Sequence, residues 1–364
     1  MAVPKLTIRS LRSTGVVVPM ARPLGTSAQT IRSAPLLLID LETEEDITGH
    51  AYLFCYLPMA AGLVARVLDD MLGLVKGDRL APHESGLKLA RHFRLIGTRG
   101  IISAALSGLD VACWDALAMA AELPLAGFLG GTPKAIPAYN SNGLGIMTPE
   151  EAADEAEELL AGGFRAIKLR LGYPTLTADL AAIRAVRKRL ADDVSLMVDF
   201  NQALTLAEAL LRGRMLDEEG LFWIEEPIRH DDYIGCATLA RELATPIQIG
   251  ENFAGPQAMA AAIDARAADY MMPDLERIGG ITGWHRAASL AAATGIELSS
   301  HLYPEVSAHL LAVSPTCHWL EYVDWANPIL NEPLQIVDGV AIAPDRPGIG
   351  LSWNEDAVAR YRIA

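Results

Sequence analysis

From Ala135 onward, short apolar runs recur at near-regular intervals, separated by stretches with helical periodicity. They are "AIPAYNSN", "FRAIKLRLG", "SLMVDFNQ", "LFWIEEP", "TPIQIGEN", "DYMMPD", "IELSSHLY" and "HWLEYVD". Eight strands alternating with helices point to an α/β barrel, a closed parallel barrel of the TIM type, because a doubly wound open sheet usually needs fewer. The repeat also says where chemistry belongs: in such a barrel the functional side chains stand at the C-terminal ends of the strands.

Ahead of the repeat, "KLTIRSLRSTGVVVP" and "APLLLIDLETEEDITGHAYLF" predict a strand meander. Helical stretches follow over 60–74 and 100–129, the second stopped by Gly130-Gly131. Strands and then helices predict an α+β domain. Residues 24–33 lack periodicity between two strands and predict a mobile loop. Beyond the barrel, Asp338-Gly339 is a hairpin signal and Asn354 opens a last helix. The expected organisation is an α+β domain at 1–133, a barrel at 134–328, and a tail at 329–364 that packs back on the first domain.

A formal charge of −15 argues against nucleic acid or an anionic membrane as partner, though a local cationic pocket stays open. The start "MAVPKLTIRS" lacks the apolar core of a secretory signal, and no uninterrupted apolar run is long enough to span a bilayer. Cys55, Cys113, Cys236 and Cys317 are far apart, which predicts buried thiols in a reducing cytoplasm.

The last residues of the eight runs are Ser141; Lys168 and Arg170; Asp199 and Asn201; Glu225 and Glu226; Glu251 and Asn252; Asp274; His301; and Glu321. Side chains alternate along a strand, so Lys168 and Arg170 share a face and need something negative opposite. Asp199, Glu225 and Glu251 come from three consecutive strands, each 26 residues after the last. Three convergent carboxylates repel one another, and an all-oxygen set suits Mg²⁺ better than zinc. In "IEEP" the two glutamates point to opposite sides, so one is a ligand, and Glu225 keeps the spacing. Asp274 and His301 lie on the next two strands. A histidine held by a carboxylate has a fixed tautomer and raised basicity, which suits a general base. Glu321 ends the eighth strand and is expected to stay protonated and donate a hydrogen bond to an anionic intermediate. These parts suit abstraction of a proton α to a carboxylate. There is no P-loop, no dinucleotide fingerprint in "RIGGITGW" and no G-x-S-x-G elbow.

The motifs "AIKLRLG", "MVDFNQ", "WIEEP", "IGEN", "MPDLERIGGITGW", "SSHLYPEVSAHLLA" and "HWLEYVD" resemble the mandelate racemase subgroup of the enolase superfamily, essentially end to end. The resemblance implies a capping domain, completed by the tail, over a modified (β/α)7β barrel, and a homo-oligomer. It implies Mg²⁺ on Asp199, Glu225 and Glu251, and Lys168 against the substrate carboxylate, with Ser141 and Asn201 as further polar contacts. It implies His301 with Asp274 as the base on one face and Glu321 as the acid. The segment 24–33, with Tyr56 nearby, would close over the distal group of a small 2-hydroxy carboxylate. Two features depart from the pattern. The second lysine, the base on the opposite face, is Arg170 here. The capping segment carries Arg22, Ser27, Gln29 and Arg32, which suggests a polar or anionic distal group. Three readings follow: mandelate-racemase-like racemisation; an acid-sugar dehydratase using His301, with Arg170 as an electrostatic clamp; and a decayed protein that binds a carboxylate.

Overall fold

A computed structural model describes residues 5–27 and 29–363. Strands β1 (Ile8–Gly25), β2 (Thr30–Thr43) and β3 (Thr48–Phe54) form an antiparallel meander in the order β1-β2-β3. Residues 34–41 of β2 are buried without alternation, because both faces of the sheet are covered. Gly49 and the Ile39–Leu53 side meet the helix Ile101–Ala120, where Gly108 lets the two approach. The other face meets the barrel: Tyr52 donates to Glu305 (2.6 Å), and the Tyr303 hydroxyl accepts from the Phe54 N–H (3.0 Å).

Eight parallel strands follow: β4 (Ala135–Asn140), β5 (Ala166–Arg170), β6 (Ser195–Asp199), β7 (Ile224–Glu225), β8 (Ile247–Ile249), β9 (Tyr270–Met271), β10 (Glu297–Leu298) and β11 (Leu320–Tyr322). They coincide with the eight apolar runs. The ring closes because β11 pairs with β4, while Leu298 bridges Cys317 and Ser300 N donates to Trp319 O (3.0 Å). Inside it, Tyr139, Ala166, Met197 and Trp223 form a separate aromatic-rich plug, flanked by Phe222, Tyr270 and Trp319. The period of two then sets the next layer. Two residues beyond Ala166, Met197, Trp223 and Trp319 stand Lys168, Asp199, Glu225 and Glu321.

The tail splits between the layers. Strands β12 (Ile336–Val337) and β13 (Val340–Ile342) form the expected hairpin, with Asp338 and Gly339 left-handed, and β13 pairs antiparallel with β4. The helix Glu355–Tyr361, capped by Asn354, leads to a contact of Ile363 N with Gly15 O on β1 (2.9 Å).

Two expectations need correction, and one helix was not foreseen. The helical stretch of 100–129 ends at Ala120, and a short turn of helix follows at Leu125–Phe128. The helix Pro82–His92 was not legible, because Ser85-Gly86 interrupts a weakly periodic run. The segment 24–33 is mostly paired strand, with Leu24 opposite Ile31 and Gly25 opposite Thr30; Ala28 lies outside the described residues. The helix Ile101–Ala120 is long and apolar enough to cross a membrane by length and composition, but Asp110 and Asp115 interrupt it and most of it is buried against β2 and β3.

A Cβ at Gly49 would overlap the Ala112 carbonyl and the Ala116 nitrogen, both fixed in a helix. Gly49→Ala is therefore expected to destabilise the chain by ~2–3 kcal/mol, the scale of core overpacking. Denaturant melts check this, and an unchanged midpoint would contradict the close packing.

Candidate active site

The polar layer sits on the aromatic plug and is closed over by the first sheet. A cavity of about 240 Å³ is lined there by Lys168, Arg170, Asp199, Asn201, Glu251, Arg277, His301 and Glu321 from the barrel. Leu24, Thr26, Gln29, Ile31, Phe54 and Tyr56 line it from the meander. Residues with left-handed backbone cluster at its rim: Tyr56, Asn201, Gln202, Glu226, Leu302 and Tyr303. Such conformations cost ~1–3 kcal/mol each and persist only where surroundings enforce them.

Lys168 is fully buried, and its Nζ lies 2.6 Å from Glu225, 2.9 Å from Glu321 and 3.4 Å from Asp199. Burial alone would lower its pKa, but the three carboxylates outweigh that and raise it. Asp199, Glu225 and Glu251 each offer one oxygen, all within 4.8 Å of one another. Burial, together with repulsion from neighbouring carboxylates, pushes Asp199 up and Glu225 up to about 8. Glu251 goes the other way: burial opposes its charge, but His301 and Arg277 hold it well below the usual range. A buried all-oxygen trio under this mutual repulsion fits a hard divalent cation. Glu226 turns away from the trio, as the alternation argument expects, and accepts from Asn252 Nδ2 (2.8 Å).

Asp274 and His301 meet across a bridge between their strand ends. His301 Nδ1 lies 2.7 Å from Asp274 Oδ2, while Asp274 Oδ1 accepts from Arg277 N (2.9 Å). One carboxylate thus orients the imidazole and caps the next turn of helix. Nε2 reaches the cavity wall, where it lies 3.2 Å from Glu251 and 3.9 Å from Glu321. Burial disfavours the charged imidazole, yet Glu251, Glu321 and Asp274 together raise its pKa well above the ordinary value.

Glu321 and Ser141 are bonded to each other. Glu321, expected as a protonated donor, is surrounded by donors in this arrangement. It accepts from Ser141 Oγ (2.7 Å) and Leu302 N (2.8 Å) beside the Lys168 ammonium, and these donors outweigh burial and lower its pKa to about 2. Ser141 is fully buried, donating to Glu321 and accepting from Arg170 Nη2 (2.8 Å), and so positions these two groups. Asn201 does line the cavity. Its amide binds Asp199 (3.0 Å), and its Oδ1 has no protein partner. Tyr56 lines it too, with the Arg277 guanidinium 5.2 Å from its ring. Arg170 donates through Nη1 to the carbonyls of Ser141 (2.8 Å) and Gly143 (3.1 Å), and its buried Nε is unpartnered.

The capping segment also differs from its sequence reading. Arg22 pairs with Glu155 and Glu158 outside the cavity, Arg32 is exposed, and Ser27 donates to Phe200 O (3.2 Å). Of the four polar residues only Gln29 lines the cavity, beside Leu24, Ile31, Phe54 and Trp325. Sequence reasoning missed Arg277, whose Nη1 binds Glu251 O (2.9 Å) and Asn252 Oδ1 (2.7 Å). Its position one helical turn after Asp274 was an available signal.

A capped parallel barrel with a carboxylate trio facing a histidine–aspartate pair is the arrangement of a magnesium-dependent enzyme. Residues 9–130 match the mandelate racemase / muconate lactonizing enzyme N-terminal domain, and residues 151–357 match the enolase C-terminal domain-like family. The chain belongs to the enolase superfamily, in its mandelate racemase branch. It is 32% identical to the L-talarate/galactarate dehydratase of Salmonella typhimurium over 350 residues, covering 93% of this chain and 87% of the relative. An enolase crystallised with magnesium, from the alpha-proteobacterium BAL199, is 48% identical with a TM-score of 0.96, over 98% of this chain and all of that one. An enolase from Bradyrhizobium, complexed with magnesium and mandelic acid, is 41% identical with a TM-score of 0.95 over the full length of both.

Adding Mg²⁺ is expected to raise the melting temperature of metal-stripped protein by several degrees, because a bound cation relieves the repulsion within the trio. Glu225→Gln should blunt the response. A full Mg²⁺ shift in that variant would place the cation elsewhere.

Proposed function

We propose that this enzyme removes the α-proton of a 2-hydroxy carboxylate with His301 and works from that single face, as a dehydratase of a polyhydroxy acid. The observation that carries this is Arg170. Its Nη1 donates to two main-chain carbonyls, which accept and cannot donate, so the guanidinium is built in as a fixed donor. Free arginine has a pKa above ~12, so neutralising one at pH 7 costs roughly 7 kcal/mol. A second base on that face is therefore poorly supported, whereas His301 is oriented by Asp274 and reaches the cavity through Nε2.

Asp199, Glu225 and Glu251 would hold Mg²⁺, which would supply Lewis-acid polarisation of the substrate carboxylate. The chain's own residues do the rest. Lys168 and Arg170 place two positive charges where the carboxylate binds and where negative charge grows as the α-proton leaves. His301 Nε2 takes that proton. The C–O bond at the β-carbon then breaks, the hydroxyl departs with a proton from the imidazolium as water, and the enol left behind tautomerises to a 2-keto acid. Glu321, as a carboxylate, anchors Lys168 and the Leu302 amide just after the base. The Salmonella dehydratase supports this class of reaction by its similarity.

Racemisation is the second reading, favoured by the apolar cavity wall of Leu24, Ile31, Phe54 and Trp325 and by the similarity to the Bradyrhizobium protein that binds mandelic acid. It requires Arg170 to return a proton on the opposite face.

Incubation in D₂O with Mg²⁺, followed by NMR, separates the two. Polyhydroxy acids are expected to lose water and yield a 2-keto acid deuterated at the adjacent carbon. Aryl 2-hydroxy acids are expected to exchange their α-proton in one enantiomer without inverting. Inversion would favour racemisation, and absence of exchange across both sets would overturn the proposal. His301→Asn should lower exchange by at least ~10³-fold, within the range of general-base contributions. Arg170→Lys should leave dehydration near its starting rate, whereas a gain of inversion would support the second reading.

A further inference from the structure

A second cavity, of about 300 Å³, lies where the first domain's helices meet the barrel's helices. Its walls come from the helices Pro82–His92 and Ile101–Ala120, the loop before Ile101, and the barrel helices Pro256–Asp264 and Gly280–Thr294. The catalytic proposal uses none of these elements. Arg277 is the link, since it lines both cavities.

The lining is cationic in a chain whose formal charge is −15. Three guanidiniums face it, from Arg99, Arg277 and Arg286, and the only carboxylate among the lining residues is Asp110. Asp110 is already satisfied: Thr282 donates to its two oxygens from N (2.9 Å) and Oγ1 (2.6 Å). Burial pushes its pKa up to about 6, against the opposing pull of the Thr282 hydrogen bonds and the Arg286 charge. Among the described residues Arg99 and Arg286 have no hydrogen-bonded or ion-paired partner, and the bonds of the Arg277 guanidinium all run through Nη1, leaving Nε and Nη2 without a protein acceptor. Leu106, Ile278 and Pro82 supply an apolar floor beside these donors.

Unspent guanidinium donors over an apolar floor recognise one chemical class, a small anion with a carboxylate or phosphate head and a short apolar body. We propose that this cavity is a second site for such an organic anion, coupled to the metal trio through Arg277. The coupling has a short path. The same guanidinium that faces the cavity holds Glu251 O and Asn252 Oδ1. A ligand that draws on its remaining donors shifts the balance at Glu251, and by linkage Mg²⁺ and the anion alter each other's affinity by the same factor.

Calorimetry on the Mg²⁺-loaded full chain tests this without reference to the reaction, with phenyl phosphate, benzoate and inorganic phosphate as probes. At least one of the two organic anions is expected to bind in the millimolar range or tighter, and at least tenfold more weakly to an R99A/R286A double variant. Which of them binds tells a phosphate head from a carboxylate head. Inorganic phosphate is expected to bind more weakly than the better organic probe, and equal binding would overturn the organic class. Undiminished binding by the double variant would place the probe in the catalytic cavity and overturn the site, as would no binding of either organic probe. The saturating anion is expected to change the Mg²⁺ affinity of the wild type at least twofold and that of the double variant not at all; an unchanged affinity in the wild type overturns the coupling. A change of oligomeric state in the double variant, with no change in anion binding, would assign the arginines to contact with a second copy instead.

Discussion

The buried ammonium of Lys168 is the interaction on which this site rests. Taking an ammonium out of water costs several kcal/mol unless opposite charge surrounds it. Here Glu225, Glu321 and Asp199 do so, at 2.6, 2.9 and 3.4 Å. The dependence is mutual, because the lysine is what lets these carboxylates stand together above an aromatic plug. Removing it would leave buried negative charge with one counter-ion fewer. Cation, trio and plug are therefore one packing problem solved at a single level of the barrel.

The first domain takes part in that solution and is not merely a lid. Tyr52 reaches Glu305, and the Tyr303 hydroxyl joins the Phe54 amide to Glu276 (2.7 Å). Tyr303 follows His301 by two residues, and Glu276 follows Asp274 by two. Each half of the histidine–aspartate pair is thus tied to the end of β3, the strand that leads into Tyr56. On the other side, Ile146 N donates to Gly25 O (2.8 Å), and Gly145 lies so close that a Cβ there would strike the Gly25 backbone. The cavity's shape is set jointly by hairpin and barrel.

Much of this was legible because the barrel writes its register into the sequence. The eight apolar runs coincide with the eight strands, and the spacing of Asp199, Glu225 and Glu251 matches three adjacent strand ends brought within 4.8 Å. The Asp274–His301 pairing followed from the same logic. What was illegible depends on side-chain direction and on competition for donors. Nothing in the sequence says that Ser141 bonds both Glu321 and Arg170, or that two hydrogen bonds and an ammonium converge on Glu321. Arg22 looked like a substrate contact until Glu155 and Glu158 claimed it. Arg277 was hidden because it acts from a turn of helix and not from a strand end.

The stacking of the plug beneath the polar layer has a corollary. Along β5, Ala166 packs the plug while Arg170 stands two steps above Lys168, and the intervening Ile167 and Leu169 face the surrounding helices. Foldability and reactivity are written on different teeth of the same strand. Exchange of the residue at position 170 would therefore act on the polar layer, where Arg170 holds the Ser141 and Gly143 carbonyls, and leave the aromatic packing beneath in place.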